Sequence, residues 1–397
     1  MKYRKLWARP RYRAIAAVLL TGIAVLPVIG PESIRAFFRS DTFVATRVGL
    51  IAALTIPAVV FIAMAVYLRR RSIDAPPAVI LFLLLLAVWM TDLHYSNVDL
   101  QQYTDEFRDN VALQQDLHDR VVALSPDSVP HCYRFLPNAI VVWLQCLTGG
   151  YLAAALIFRL TVNLLLVAAI WCFARIFTGT PGSIVAILLW AVAYPISIRF
   201  YAGQLTDPLS HLTFVMCFIL AERRNYLGTA LVVFAGLLVK ETILIMPLWF
   251  VIRHYRDRSA WIRMALLFAA ATGSGLALRT YIAGGFDYDR ISGVGPAWIE
   301  VNLADVWYWS RQLLGTVGIL VPLTACGWNR SPQSLKHLVV FLFPVLFVSS
   351  AVFSWLRESR NFMPMVIPMA IIVGVWIEDF SSSSTSQGTD TTDGHAI

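Results

Sequence analysis

Apolar runs of bilayer-crossing length recur along almost the whole 397-residue chain, separated by short polar or basic stretches. A crossing takes about 20 apolar residues, with about 17 as the lower limit. On that measure the runs at 14–30, 48–68, 78–91, 152–177, 182–198, 209–221, 226–239, 242–252, 262–281, 312–327, 337–355 and 362–377 predict about twelve spans. Several are short of a full crossing and are readable as half-helices that meet inside the protein. The expected fold class is all-α, a polytopic transmembrane helical bundle.

One long polar interruption, residues 92–151, breaks this pattern. Eight of the 24 acidic residues fall between Asp92 and Asp127, carboxylates placed beside a bilayer that disfavours them. The apolar positions Leu100, Tyr103, Phe107, Val111, Leu117, Val121 and Leu124 follow helical steps among polar residues, which predicts an amphipathic helix lying in the outer interface. A second interfacial segment is expected from Phe135 and Pro137 toward Leu147, with Gly149 and Gly150 permitting the turn into the next span. Neither segment is long enough to bury a core of its own, so both must lean on the bundle.

The basic residues set the orientation. Residues 1–13 carry six basic and no acidic side chains, so the positive-inside rule keeps them in the cytoplasm. Arg69, Arg70 and Arg71 mark the return of the second span, and Arg223, Arg224, Arg253, Arg256, Arg258, Arg330 and Lys336 fall inside on the same count. The division expected is a cytoplasmic N-terminus (1–13), N-terminal transmembrane helices (14–91), an outer loop (92–151), a bundle (152–377) with a second outer loop at 282–311, and a disordered cytoplasmic tail (378–397). Both termini are then cytoplasmic, and the first apolar run lacks a small-residue cleavage site, so no cleavable leader is expected.

Composition agrees: 58% hydrophobic residues, 14% charged and a mean hydropathy of +0.66 put the chain outside the soluble class. The net charge of +8 sits in short runs beside apolar segments, which fits orientation in a membrane and not a nucleic-acid surface, so no nucleic-acid partner is expected. The five cysteines show no CxxC spacing, and sulfur ligation of a metal is not expected. Cys132 and Cys146 could pair in an oxidising compartment; two free thiols is the simpler reading.

Candidate chemistry gathers at the outer ends of the predicted spans: Asp99, Arg134, Arg199, Asp207, Lys240, Glu241, Arg357, Glu358 and Arg360. Charges near hydrocarbon are expensive and are kept with a partner or a role. Each also has a plainer reading. Lys240 and Glu241 could neutralise one another at a hairpin tip, Arg357 and Glu358 could form an interfacial pair, and Asp99 could cap the amphipathic helix. Asp99 and Tyr103 share one helical face, where a partly desolvated carboxylate could accept a proton from a hydroxyl. Arg159 and Asn163, well inside a span, could simply bond to neighbouring helices.

The order Asp99-x-x-x-Tyr103, Tyr133-Arg134-Phe135-Leu136-Pro137 leading to Trp143-Leu144, Gly203-Gln204-Leu205-Thr206-Asp207, Lys240-Glu241-Thr242 with Pro247, and Arg357-Glu358-Ser359-Arg360-Asn361 before Pro364 resembles the GT-C superfamily of integral membrane glycosyltransferases, whose members include protein mannosyltransferases and aminoarabinose transferases. The resemblance covers about Asp92 to Pro368. It implies a polyprenyl-phosphate-linked sugar donor approached from the outer leaflet, a glycan, lipid or protein acceptor, surrounding membrane lipids as partners, and a bacterial inner-membrane location. It further implies Asp99 as the base on the acceptor hydroxyl, inversion at the sugar, and Lys240, Arg357, Arg360 and Arg134 as cations around the leaving phosphate. Tyr103, Glu241 and Glu358 would complete the substrate site, with Asp207 binding the acceptor or orienting a cation.

Two N-terminal spans, 14–30 and 48–68, come before the one that leads into the acidic loop, a departure from the family layout in which that loop follows the first helix, and Leu100 follows Asp99 where the family has a paired acid. Asp92 and Asp105-Glu106 therefore stay open as bases. No cofactor is required; Asp287 and Asp289 have a spacing that could hold a divalent cation, with a solvated loop as the plainer reading. Two other functions stay open, a secondary transporter and a polymerase of lipid-linked glycans. No internal repeat is evident, which counts against inverted-repeat transporters.

Overall fold

A computed structural model describes position 59 and residues 77–96, 107–125, 128, 131–198, 204–283 and 296–386. Among these residues the chain is all helical, with fourteen α-helices and no strand. In order they are α1 (Pro77–Ser96), α2 (Phe107–Val122), α3 (Phe135–Thr148), α4 (Tyr151–Ala174), α5 (Thr180–Ile198), α6 (Thr206–Glu222), α7 (Tyr226–Leu237), α8 (Met246–Arg253), α9 (Arg258–Ala283), α10 (Pro296–Ala304), α11 (Val306–Leu313), α12 (Leu320–Trp328), α13 (Gln333–Phe353) and α14 (Met363–Ser386). The predicted spans at 14–30 and 48–68 fall outside the described residues, except for position 59.

Among the described residues six helices are long and apolar enough to cross a membrane: α1, α4, α5, α9, α13 and the segment Ser359–Phe380, which takes in most of α14. The count of twelve is not reproduced at that length, for a physical reason. Segments expected as single crossings are short or broken: α7 has 12 residues, and 242–252 divides into a 3-10 turn (Glu241–Ile245) and the 8-residue α8. The expected span 312–327 is interrupted by a π-helical turn, Leu314–Gly318, between α11 and α12. Gly315 and Gly318 lie in that turn, and glycine weakens a helix interior.

Helices α4 and α14 form the centre. Both are apolar on all sides, the pattern of a helix surrounded by protein, and residues from Leu164 to Ala174 and from Phe362 to Ile372 fill the core with Trp190, Trp249 and Phe250. α14 packs on α5, α12 and α13, while α4 packs on α1, α3 and α6. The α5–α14 crossing is close because both helices present glycine there: a Cβ on Gly374 would overlap the Gly182 carbonyl. By contrast α9 and α13 leave Leu266, Phe268, Val340, Phe343 and Val348 exposed, as expected of surfaces that meet lipid.

The amphipathic helix exists as α2, but its buried face differs from the expected one. It buries Gln114, His118 and Val121 and leaves Leu113 and Val122 exposed; residues 100–106 lie outside the described residues. α3 ends as expected, with Gly149 left-handed (φ 76°), where glycine escapes the Cβ penalty. The outer loop 282–311 is helical over α10 and α11, with 284–295 outside the described residues. The last helix runs to Ser386, beyond the expected boundary at Ile377. All five cysteines are free.

Candidate functional site

Of the charged residues quoted from the sequence, Arg134, Asp207, Lys240, Glu241, Glu358 and Arg360 meet at one end of the bundle, and their delivery follows a common local rule. Pro137, Pro208, Pro247 and Pro364 sit in the first turns of α3, α6, α8 and α14. Proline is tolerated there because those N–H groups lack intrahelical acceptors, and it stops the helix from extending backwards. The residues just upstream are left in short 3-10 turns, His131–Tyr133, Glu241–Ile245 and Ser359–Phe362. Such turns aim side chains inward that a continuous helix would spread around its axis.

Arg360 is the hub. It is buried, and its Nη1 donates to Asp207 Oδ2 (2.7 Å) and Gln204 Oε1 (2.8 Å), while Nη2 donates to Glu358 Oε2 (3.0 Å). Its carbonyl accepts from His211 Nε2 at 3.1 Å. Asp207, whose side chain is 1% exposed, also faces Lys240 Nζ across 3.6 Å. Lys240 donates to Asn361 Oδ1 at 2.7 Å. Beside this group Arg134 grips Glu241 with two hydrogen bonds, Nε to Oε2 (3.1 Å) and Nη2 to Oε1 (2.8 Å). Arg279, from the end of α9, reaches the same carboxylate at 3.5 Å and lies over the Tyr133 ring at 5.1 Å.

Lys240 and Glu241 do not neutralise one another. Lys240 has extended backbone (φ −160°, ψ 127°) immediately before the 3-10 turn, so it and Glu241 point to different partners. Glu358 takes Arg360, and the Arg357 guanidinium lies 3.9 Å from the centroid of the Trp355 ring. Asp207 is 1% exposed and lies behind Arg360 and Lys240.

Electrostatics keep the cluster ionised. Burial alone would raise the Asp207 carboxyl pKa, but Arg360 and Lys240 outweigh it and hold the group below the usual carboxylate range. Glu241 is held down in the same way against burial, by Arg134 and Arg279. Burial lowers Lys240 to about 8 even with Asp207 beside it, so its charge is the one most easily lost. His131 is pushed down to about 3 by burial and then by Arg134 and Arg360, and stays neutral at pH 7. Four cations (Arg134, Lys240, Arg279, Arg360) stand against three carboxylates (Asp207, Glu241, Glu358) in these contacts.

Sequence reasoning missed Arg279, His131 and His211, and gave Asn361, quoted in the late motif, no role of its own. Arg279 carried a readable signal, an ionisable residue near the end of an apolar run. Asp99 and Tyr103, the proposed base and its neighbour, lie outside the described residues, as do Asp105, Glu106, Arg199, Asp287 and Asp289. Asp92 is half-buried near the end of α1. No grouping of three or more His, Cys, Asp or Glu side chains suited to a metal occurs among the described residues.

A second polar string runs beneath the cluster. Arg159, fully buried in α4, donates to Gln114 Oε1 (3.0 Å), and Asn163 donates to Thr91 Oγ1 (3.0 Å), the interhelical bonding expected of both. His94 hydrogen-bonds Tyr194 at 2.7 Å, and His118 joins Asn138 and Gln145. A cavity of about 20 Å³, room for one water, lies between Gln114, His118, His131, Asn138, Gln204 and Thr206, next to the Gln204 amide that braces Arg360.

Among the described residues the chain is all helical, with six helices fit to cross a membrane and a buried ion cluster at one end of the bundle. No protein-family model, curated protein or solved structure matches it.

Proposed function

We propose that the chain is a polytopic membrane glycosyltransferase of GT-C type, passing a sugar from a polyprenyl-phosphate-linked donor to an acceptor hydroxyl at the outer face of a bacterial inner membrane. The observation that carries this is the joining of Arg360, Asp207 and Lys240 with the Arg134–Glu241–Arg279 group at one end of the bundle. In the reaction the acceptor oxygen bonds to the anomeric carbon and its proton passes to Asp99. The sugar–phosphate bond breaks, and its electron pair leaves on the polyprenyl phosphate, whose charge Lys240, Arg134, Arg279 and Arg360 stabilise. Attack opposite the leaving group inverts the anomeric centre. The proposed topology retains about twelve crossings, each shorter run counted as its own, with both termini cytoplasmic.

The transporter reading would want acids at mid-membrane. Among the described residues no Asp or Glu lies in the middle third of a candidate spanning helix. The test uses the purified full chain and a polyprenyl-phosphate-linked sugar. Lys240→Ala and Arg279→Ala should each weaken donor binding by about tenfold, the loss of one charge-assisted contact, and Asp99→Asn should bind donor normally but transfer no sugar. Unchanged donor affinity in both cation variants overturns the phosphate assignment, and full transfer by Asp99→Asn removes Asp99 as the base.

A further inference from the structure

The opposite end of the bundle carries a hollow of about 500 Å³ lined by Arg224, Arg253, His254, Tyr255, Arg256 and Asp257. We propose that it binds the phosphate of an anionic lipid headgroup in the leaflet on that side, a site separate from the one described above.

The first support is the backbone of Arg224. α6 closes with the amide of Arg224 donating to the Ala221 carbonyl (3.1 Å) and that of Asn225 to Leu220 (2.9 Å). This closure puts its penultimate residue in the left-handed region, where glycine is the usual occupant. Here it is arginine, at φ 53°. A long side chain held where glycine would be free of strain points to a use for the side chain.

The second support is how the charges are distributed. Arg253 is spoken for, forked onto Glu222 with two 2.8 Å bonds. Asp257 accepts from the Tyr226 hydroxyl (2.7 Å) and from the amide (2.9 Å) and hydroxyl (2.8 Å) of Ser259. His254 donates Nε2–H to the Ala221 carbonyl at 2.7 Å, fixing its ring. With both nearby carboxylates engaged, Arg224 and Arg256 have no carboxylate in ion-pair range among the described residues. The C-termini of α6 and α8 and the N-termini of α7 and α9 meet here, so their dipoles largely cancel and the arginine side chains set the sign of the field.

The third support is depth. Tyr255 and Trp261 are more than half exposed beside the hollow, and Trp261 Nε1 donates to the Tyr255 carbonyl at 2.9 Å. Amphipathic aromatics with an apolar body and a polar edge settle at the headgroup level. An occupant at that depth with two arginines facing it is a lipid phosphate in preference to a soluble anion.

The test titrates the purified full chain in detergent with short-chain phosphatidylglycerol, short-chain phosphatidylcholine and inorganic phosphate. Phosphatidylglycerol should bind, and Arg224→Gly and Arg256→Gln should each weaken it about fivefold, or about 25-fold together. Arg224→Gly should not lower the unfolding temperature measured without lipid, because glycine relieves the turn; a merely structural arginine would give the reverse. Wild-type phosphatidylglycerol affinity in the double variant overturns the site. Inorganic phosphate or phosphatidylcholine binding as tightly as phosphatidylglycerol, with the same dependence on both arginines, overturns the assignment to an anionic lipid.

Discussion

At one end of the bundle Asp207, Lys240 and Arg360 are almost sealed from solvent and interlocked; at the other, Arg253 and Glu222 pair side by side with the arginine one-third exposed. Both ends hold arginines and carboxylates near helix termini, yet they solve different problems. The second end uses ordinary caps, with Asn225 accepting from the Gly228 amide and Asp257 from Ser259 and Ala260. Its charges reach outward to water and headgroups. The first end interrupts helices with 3-10 turns and turns the charges inward. Burying ions costs several kcal/mol each before their attraction is counted, so an inward array is weak evidence of a gain in stability.

That contrast is broken most directly by removing one buried partner. Asp207→Ala leaves Arg360 and Lys240 facing one another without their shared anion. The expected loss is about 3–5 kcal/mol, read as a drop in thermal unfolding in detergent. A loss below about 1 kcal/mol would mean that the cluster is wetter than its burial indicates, and the two ends would then be alike.

The next effect in size tests the frame that holds the ends apart. α5 and α14 touch through Gly182 and Gly374, and near the same end the Glu378 carboxylate accepts from the Thr178 hydroxyl and the Gly179 amide. Gly374→Ala drives a methyl group into a backbone carbonyl that cannot step aside. Overpacking of this kind costs about 1–3 kcal/mol. Unfolding should occur at a lower temperature, while the pairing of Asp207 with Arg360 persists in whatever fraction stays folded.

Much of the frame could be read from the sequence, because hydrophobic run length decides it: the runs at 152–177, 182–198 and 337–355 correspond to α4, α5 and α13 within a few residues. The charged ends were legible for the same reason. Partnership was not. Lys240 and Glu241 are neighbours in sequence, and only the backbone of Lys240 and the turn that follows send one to Asn361 and Asp207 and the other to Arg134 and Arg279. α2 misled in the opposite sense: Gln114 and His118 are polar positions of an amphipathic helix expected at the interface, yet both are buried, and Gln114 accepts from Arg159 in α4. Local pattern reports how polar a residue is, not which distant group will satisfy it.

A smaller effect sharpens the comparison through pH. Burial lowers Lys240 to about 8 from its ordinary 10.5, so between those values the unfolded chain binds more protons and this group's contribution to stability rises with pH. Asp207 and Glu241 are held below the usual range, so the stability they contribute is present above pH 4 to 5 and is lost as acid protonates them. Under the phosphate-binding proposal, donor affinity should fall by at most about tenfold per pH unit above 8 as the ammonium loses its proton. Lys240→Arg should remove the fall. A flat profile in the wild-type protein would show that Lys240 does not meet the donor.

The smallest effect belongs to the outward-facing end. Glu222→Gln removes the anion from Arg253, whose side chain is 34% exposed, so water and headgroups can solvate the guanidinium in its place. Partly exposed pairs contribute less than about 1 kcal/mol, and salt screens them further. The expected change in unfolding temperature is slight and shrinks as ionic strength rises, while Asp207→Ala keeps its full effect in the same salt series because buried charges are poorly screened. Equal salt sensitivity in the two variants would contradict the assignment of one end as buried and the other as solvated.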